Sequence, residues 1–280
     1  MKWIAGLTKF WAYVSFGLVC AVILFLFGYV FYRGAGTVSV EFLTEAPKGL
    51  VLGEEGGIFP AIIGSLFFTG TAVVLGGIPA LASALYLVFY CRNKKVERLL
   101  HLVIQCISGI PSIVLGLFAY SFLVRDLNFG RCILSAGVAL AIMILPFIEV
   151  RAEKAFHEVP AHMVQSSYAL GCSRFYTITR MILPACRGEL VSGIILGGCY
   201  AMGATAPMIF TGAVAYAAVP KSLLSPAMAL PLHLYLLLAQ GATSMDTAYG
   251  TAFVMMAIIL ISNMLATIYA RRSQKKWKRS

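Results

Sequence analysis

The chain has 280 residues, a mean hydropathy of +0.87 and only 12% charged residues. Because a soluble domain carries about a quarter charged residues, this composition excludes an ordinary soluble protein and favours one that crosses a membrane several times. The formal net charge of +11 does not indicate a nucleic-acid partner, since the basic residues lie in short segments between apolar stretches.

Six stretches without Asp, Glu, Lys or Arg are candidates for membrane-spanning helices. A helix needs about 20 apolar residues to cross a hydrocarbon core about 30 Å thick. The six stretches are Phe10–Tyr32, Ile58–Tyr90, Leu99–Val124, Cys132–Ile148, Leu190–Pro220 and Thr247–Ala270. The longer ones are expected to extend beyond the core or to contain loop at one end.

Three other segments near the spans need an interpretation. The first stretch is too long for the h-region of a signal peptide, about 7–15 residues, so a retained span is expected. The segment Arg33–Gly57 is expected to be an extracytoplasmic loop with one short helix. Ser222–Met245 is also uncharged, but its prolines and polar cluster favour an outer-face helix lying against the bundle over a seventh span.

The orientation follows from the positions of the 22 Lys and Arg residues. With six spans and the N-terminus inside, most of them fall in inner segments, which is the pattern of cytoplasmic loops. Both termini are therefore predicted to be cytoplasmic, and a seventh span would place the basic tail 271–280 outside. The tail fits either contact with anionic lipid headgroups or a plain topology anchor.

The inner segment 149–189 carries the local signals of successive helices. A first polar helix is predicted from Glu149 to Glu158, because Pro160 disfavours the α conformation of the residue before it. A second helix is predicted from Pro160 to Leu170, with Gly171 supplying the left-handed residue that ends a helix.

Ser173 is expected to cap a third helix, which continues across Pro184 into the next span. The second helix is thus held between two turns. Such a helix can act as a rigid lever on a partner, or it can be an ordinary amphipathic surface helix with no partner.

Several functional motifs are absent from the sequence. There is no G-x-x-x-x-G-K-[ST] loop for ATP, and no Asp, Glu, Lys or Arg lies in the core of a predicted span, which disfavours a proton-coupled transporter. His157 and His162 lie five residues apart across a proline, and the seven cysteines include no C-x-x-C. No catalytic group, metal site or disulfide framework is therefore predicted.

The segment Gln165–Pro184, QSSYALGCSRFYTITRMILP, resembles the cytoplasmic coupling loop of ABC-importer permeases, written E-A-A-x3-G-x9-I-x-L-P. Gln165, Ser166 and Ser167 stand at the E-A-A positions and Gly171 at the glycine. The resemblance implies that a separate ATPase docks on this loop. The implied docking residues are Gln165, Ser166, Ser167, Ala169, Leu170, Gly171, Phe175 and Pro184.

Further segments resemble the permeases of phosphate importers. Gly109–Tyr120, GIPSIVLGLFAY, is similar to their third-span signature, and Gly56–Gly64, GGIFPAIIG, to the start of their second span. Gly203–Phe210, GATAPMIF, is similar to the G-E-T-A-P-L-x-F of the A-type (PstA-type) subunit rather than the C-type. Glu153, Ala155, Val159 and Pro160 fit the family pattern E-E-A-L-x-x-V-P, and the resemblance covers roughly residues 38–270.

The resemblance implies an all-α integral membrane protein with six transmembrane helices, a type I ABC-importer permease with a cytoplasmic coupling helix. Residues 1–57 would form the first span and an extracytoplasmic loop. Residues 58–270 would form the transmembrane domain, with the coupling loop at 149–189, and 271–280 the basic cytoplasmic tail.

The implied assembly is a phosphate importer of the bacterial inner membrane. This chain, itself not an enzyme and without a cofactor, would share the pathway with a C-type (PstC-type) permease. Two copies of a PstB-type ATPase would bind ATP and Mg, and an extracytoplasmic PstS-type protein would deliver phosphate. Membrane lipid surrounds such a subunit, and no nucleic acid takes part.

The sequence departs from the family at two positions. The family usually has Arg three residues before the glycine of G-E-T-A-P and Glu just after it, where this chain has Tyr200 and Ala204. These positions, i and i+4, are predicted to face the same way on one helix. Their joint change fits either a partner permease with its own charged pair or another oxyanion as substrate, such as tungstate, molybdate or sulfate. An ATPase-independent channel or a membrane scaffold is the alternative from a different class.

The candidate pathway groups are hydroxyls and main-chain N–H groups freed at Gly and Pro, which an anion in the membrane could meet; packing between helices is the alternative role. These residues are Pro111, Ser112, Tyr200, Gly203, Ala204, Thr205 and Pro207. Gly193, Gly197 and Ala201 also recur at four-residue spacing, which lets another helix approach closely. That helix belongs either to the partner permease or to this chain.

Overall fold

The computed structural model describes residues 2–49, 51–241 and 244–277, and the side chains of 8–49, 51–241 and 244–273. The last three residues of the predicted basic tail, 278–280, lie outside this range. The described chain is helical apart from loops and a two-stranded antiparallel hairpin. The helices are α1 (Lys2–Ala35), α2 (Val40–Thr44), α3 (Phe59–Leu85), α4 (Lys94–Ser108), α5 (Ser112–Ala119), α6 (Ile133–His157), α7 (Ala161–Ala169), α8 (Arg174–Thr177), α9 (Leu183–Gly203), α10 (Ala206–Thr211), α11 (Leu230–Gln240) and α12 (Met245–Trp277), and the strands are β1 (Pro47–Lys48) and β2 (Glu55–Gly56). Single π-helical turns extend α3 over Tyr86–Tyr90 and α5 over Tyr120–Asp126, and Ile178–Ile182 joins α8 to α9.

Five of the described helical segments are long and apolar enough to cross a membrane. They are Thr8–Ala35, Phe59–Tyr90, Ile133–His157, Arg174–Gly203 and Met245–Ser273. A sixth span exists only if Lys94–Ser108 and Ser112–Asp126 count together, and these two helices are bent by 93°. When this bent pair is counted as one span, the structure has the six spans that were predicted.

The prediction of one continuous helix over Leu99–Val124 is wrong. The chain breaks at Gly109–Pro111, where Pro111 has an extended backbone with ψ 134°. Proline supplies no N–H and disfavours the α conformation of Ile110, so the helix of α4 cannot continue into α5. α4 also begins with charged residues, which suit a membrane surface better than its core.

The centre of the bundle is formed by α3, α6 and α9. α3 and α6 run side by side in the same direction, and small residues let their backbones approach closely. At Gly76, for example, an added Cβ would lie only 2.7 Å from the carbonyl oxygen of Ala141. α9 crosses the pair in the opposite direction.

The stripe of small residues on α9 packs within this chain. An added Cβ at Gly197 would lie 2.7 Å from Cγ1 of Ile148, and one at Gly193 would lie 3.4 Å from Cβ of Arg151. Ala201 is fully buried in the same core. Of the two roles left open for this stripe, the structure therefore supports intrachain packing against α6.

α6 continues well past its predicted end at Ile148, and the separate helix predicted from Glu149 to Glu158 is its last part. No glycine or proline interrupts the chain between Ile148 and Pro160, so nothing ends the helix earlier. Glu149 is fully buried, and neither carboxylate oxygen has a hydrogen-bond partner among the described residues. Glu149 thus follows directly after the predicted span Cys132–Ile148 on the same continuous helix.

The end of the bundle that contains the start of α6 is held by several loop segments. Cys132 N donates to Thr211 O, Ile133 N to Ser225 O and Leu134 N to Leu223 O, so these loops satisfy the first turn of α6. α11 packs on α3 and α12 at this end. With 11 residues it is too short to cross a membrane, and the prediction of a helix against the bundle in place of a seventh span is confirmed.

Candidate functional site

A cleft with a volume of about 520 Å³ opens where the third span is broken. Its walls come from α4, the 109–111 bend, the start of α5, α6 and one residue of α9. It brings together two of the predicted pathway residues, Ser112 and Tyr200. The polar side chains lining it are Gln105, Ser108, Ser112, Arg151 and Tyr200, and the rest of the lining is apolar.

The bend itself creates the cleft. Because α4 stops at Ser108 and α5 starts at Ser112, the two helices diverge and leave space that a straight span would fill. The first turn of a helix also has N–H groups without helical partners, and their partial positive charge favours anions. Pro111 is exposed at the corner of the bend.

Arg151 provides a positive charge at the cleft. Its guanidinium carbon lies 4.8 Å from the centre of the Phe147 ring, one helical turn earlier on α6. The Phe147 ring in turn lies 6.0 Å from that of Tyr200, which is 54% exposed. Every polar side chain lining the cleft can donate a hydrogen bond and none is a carboxylate, so the cleft suits an anion better than a cation.

Arg151 was not among the predicted pathway residues. Its charge placed it in the predicted inner loop, although α6 carries it as an unbroken helix beside the cleft. The available signal was the missing helix breaker before Pro160, together with the i, i+4 spacing of Phe147 and Arg151.

The segment after α9 is arranged differently from the prediction. α9 ends at Gly203, and Ala204 is extended, with φ −83° and ψ 114°. Ala204 is therefore not part of the helix that carries Tyr200, contrary to the prediction that both lie on one helix. Tyr200 lines the cleft, whereas Ala204 packs against the core.

Gly203, Ala204, Thr205 and Pro207 do not line the cleft but form a break beside it. Thr205 occupies the residue before α10, and Pro207 is buried in its first turn. α10 packs on α5, where an added Cβ at Gly116 would lie 2.9 Å from Cα of Pro207. The break is thus joined by close contact to the helix that begins with Ser112.

A second candidate surface lies on α7 and the turn after it. α7 runs from Ala161 to Ala169 behind Pro160, and Gly171 follows with φ 79°. Ser173 Oγ accepts a hydrogen bond from Tyr176 N at 3.3 Å. The prediction of a short helix between two turns, followed by a Ser-capped helix, is confirmed.

Most of the predicted docking residues are exposed on this surface. Leu170 is 84% and Phe175 73% exposed. Ser167, by contrast, is buried and shares a hydrogen bond of 2.8 Å with Thr177 Oγ1, so its hydroxyl attaches α7 to α8. Pro184 is partly buried within the helix that follows. The exposed members of the predicted set are Gln165, Ser166, Ala169, Leu170, Gly171 and Phe175.

The two candidate surfaces are connected through one helical path. α8, the π-helical turn and α9 form a continuous segment from Arg174 to Gly203, which includes Tyr200 at the cleft. The π-helical turn precedes Pro184, a residue that cannot donate a helical hydrogen bond. Arg174 Nη1 also donates to Phe89 O at the end of α3, at 3.4 Å. α7 is thus linked through α8 to both α3 and α9.

Comparison with protein families and relatives agrees with this arrangement. Residues 80–279 match the family described as binding-protein-dependent transport system inner membrane component. The chain is 32% identical over 207 residues to the probable phosphate transport system permease protein PstA of Methanocaldococcus jannaschii, covering 74% of this chain and 73% of that protein. It is 32% identical over 200 residues to the phosphate transport system permease protein PstA 1 of Mycobacterium tuberculosis strain H37Rv, covering 70% and 64%.

Two further comparisons extend the similarity over more of the chain. The probable ABC transporter permease protein YqgI of Bacillus subtilis is 24% identical over 263 residues, which is 89% of each chain. Among solved structures, an inward-facing conformation of the MetNI methionine ABC transporter is similar with a TM-score of 0.58 and 17% sequence identity, covering 78% of this chain and 94% of that one. At this identity the likeness concerns the fold.

Proposed function

Because the chain belongs to the family of binding-protein-dependent transport system inner membrane components, we propose that it is the permease through which an ATP-driven importer moves inorganic phosphate across a bacterial inner membrane. As a member of this family it is a transporter subunit and not an enzyme, and it works with an ATPase and a substrate-binding protein.

Phosphate is proposed as the substrate because the chain is similar to phosphate permeases over about three quarters of its length. The cleft supports it, because Arg151 and four neutral side chains that can donate hydrogen bonds face a space large enough for a small oxyanion. A guanidinium can bind two oxygens of a tetrahedral anion at once.

The exposed part of α7 and the turn after it forms the proposed contact with the ATPase. Leu170 and Phe175 are large apolar side chains in an otherwise polar segment, a pattern typical of a protein interface. ATP and Mg would bind in that partner, and its closure would move α7. Since α7 is attached to α8 by the Ser167–Thr177 bond, the motion would reach Tyr200 along α9.

The cleft would be completed by a second permease. The outward faces of α4 and α5 carry exposed apolar side chains beside it, including Leu102, Ile113 and Phe118. We assign this partner to the PstC type, the ATPase to the PstB type and the binding protein to the PstS type. Both termini of this chain would be cytoplasmic, on the side where the ATPase docks.

Import of another oxyanion is the second candidate function. Phosphate carries P–OH groups at neutral pH, and a carboxylate is the strongest acceptor for them, yet no carboxylate lines the cleft. Tungstate, molybdate and sulfate need only donors. A lining that has donors and no acidic side chain therefore fits these anions at least as well as phosphate.

The test is uptake of labelled orthophosphate by cells that lack other phosphate importers and express this chain with its neighbouring permease, ATPase and binding protein. Saturable uptake that requires the ATPase and resists excess tungstate, molybdate or sulfate supports the phosphate importer. Uptake that these anions abolish supports the second candidate. An assembled complex that takes up none of the four anions rejects both.

A further inference from the structure

Phe147 lies between Arg151 and Tyr200 at the wall of the cleft, and all three residues line it. The guanidinium carbon of Arg151 lies over the Phe147 ring, 4.8 Å from the ring centre. On its other side the Phe147 ring is 6.0 Å from the ring of Tyr200, at an angle of 30°. Phe147 therefore joins the cation of the cleft to a side chain of α9.

α9 also approaches both residues of α6 with its backbone. A Cβ added at Gly197 would lie 3.7 Å from Cδ1 of Phe147, and one added at Gly193 would lie 3.4 Å from Cβ of Arg151. Both are ordinary contact distances, so α9 packs directly against the two side chains. The Phe147 ring thus has neighbours on α9 as well as on α6, and these contacts limit its rotation.

Arg151 itself is exposed, so burial does not fix its long side chain. An arginine side chain that is free to move loses rotamer freedom when it binds a ligand, and this loss weakens binding. A ring beneath the guanidinium reduces the loss, because cation–π attraction holds the cation before the ligand arrives. The ring does not neutralise the charge, and it leaves N–H groups at the edge of the guanidinium for two oxygens of an oxyanion.

We propose that Phe147 is the positioning residue of the anion site: its ring, packed against α9, keeps the guanidinium of Arg151 in the orientation that binds the oxyanion. This inference rests on the proposed import function and adds a residue that acts through Arg151. A phenyl ring offers no N–H or O–H group to an anion, so its contribution passes through the guanidinium that it supports.

The experiment measures the phosphate moved per ATP hydrolysed by the full importer in proteoliposomes, with phosphate-loaded binding protein in excess. Phe147→Leu and Phe147→Met remove the ring but keep an apolar side chain, whereas Phe147→Tyr keeps the ring. Both ringless variants should lower the ratio about two- to fivefold, the change in binding that one exposed cation–π contact is worth. Phe147→Tyr should stay near the wild type. Because the ratio is taken per ATP hydrolysed, a smaller amount of assembled complex does not change it.

Two further comparisons separate positioning from a general effect of losing an aromatic side chain. Phe67→Leu is the matched control, because Phe67 is a 42% exposed aromatic side chain on α3 that does not line the cleft; its ratio should equal that of the wild type. Adding Phe147→Leu to Arg151→Gln should cause no further loss, since the guanidinium that the ring positions is already absent. A further two- to fivefold loss in that background would overturn the proposal.

The second ringless variant keeps the test usable if one of the two does not assemble. A wild-type ratio in a ringless variant, or an equal loss in Phe147→Tyr, would overturn the positioning role and leave the import function standing. An assembled wild-type complex that moves no phosphate would overturn the proposed function itself, and with it this inference.

Discussion

Replacing Gly197 by alanine should disturb the contact between α6 and α9. The added Cβ would lie 2.7 Å from Cγ1 and 2.8 Å from Cδ1 of Ile148, a side chain that is only 1% exposed. Contacts below about 3 Å between carbon atoms are well inside the optimal separation of about 3.5–4.0 Å, so Ile148 or the helix must shift. Gly193→Ala is the matched control on the same helix, because its Cβ would meet Arg151 at 3.4 Å, which is ordinary contact.

The size of the effect follows from two opposing contributions. Overpacking of a well-packed core destabilises by about 1–3 kcal/mol, whereas glycine to alanine within a helix stabilises by roughly 1 kcal/mol. Gly193→Ala receives only the second contribution. The free energies of unfolding of the two variants should therefore differ by about 1–3 kcal/mol, with Gly197→Ala the less stable.

The assay is loss of helical circular dichroism during SDS titration of the detergent-solubilised chain. The double variant Gly197→Ala/Ile148→Ala should be more stable than the sum of the single effects predicts, because the added methyl group enters the space left by Ile148. Equal stability of Gly197→Ala and Gly193→Ala would refute the intrachain packing of the stripe. Loss of the partner permease from a Gly197→Ala chain of unchanged stability would assign the stripe to that interface instead.

Three further predictions concern the docking surface, the pathway and the outer helix. Leu170→Asp should reduce copurification of the ATPase about tenfold or more, as loss of an interface hot spot of about 2 kcal/mol implies. Val40→Asp, at the other end of the bundle, should leave copurification unchanged. Retained copurification with Leu170→Asp would contradict the proposed docking surface. Gly116→Ala should lower phosphate uptake more than Gly70→Ala. The Cβ added at Gly116 would lie 2.9 and 3.0 Å from backbone atoms of α10, whereas a Cβ at Gly70 would meet open space. Similar uptake by the two variants would contradict coupling between α5 and α10. Burial lowers the pKa of His233 below its usual 6.5, so the unfolded chain binds the proton more readily and the free energy of unfolding should fall as the pH drops below 6.5. His233→Leu should lose this part of the pH dependence in SDS titrations at pH 7.5 and 5. An unchanged pH dependence in this variant would contradict the prediction.

The elements that the sequence predicted best are those with local signals. α7 and the turn after it could be predicted because Pro160, Gly171 and Ser173 each act on the backbone within one or two residues. α11 could be distinguished from a span because its prolines and the polar residues after it limit its length. These signals need no knowledge of the rest of the fold.

The parts that the sequence did not predict depend on contacts between distant segments or on weak breakers. Hydropathy predicts 99–124 as one span, because it measures apolar content and does not report a change in the direction of the helix axis. Only Pro111 and the charged residues at the start of α4 indicated the bend. Glu149 and Arg151 were assigned to a loop because charged residues rarely continue a span, yet both lie on α6, with Glu149 buried and Arg151 exposed beside the cleft. The end of α9 at Gly203 similarly separated Tyr200 from Ala204.

The most direct test of the account is ATP-driven transport by the purified complex in proteoliposomes. The complex would contain this chain, the second permease and the ATPase, with phosphate-loaded binding protein and ATP on opposite sides of the membrane. The account predicts that labelled orthophosphate crosses toward the ATP side, only with hydrolysable ATP, and that Leu170→Asp abolishes this flux. Phosphate flux without ATP, or ATP hydrolysis without flux of any oxyanion, would contradict it.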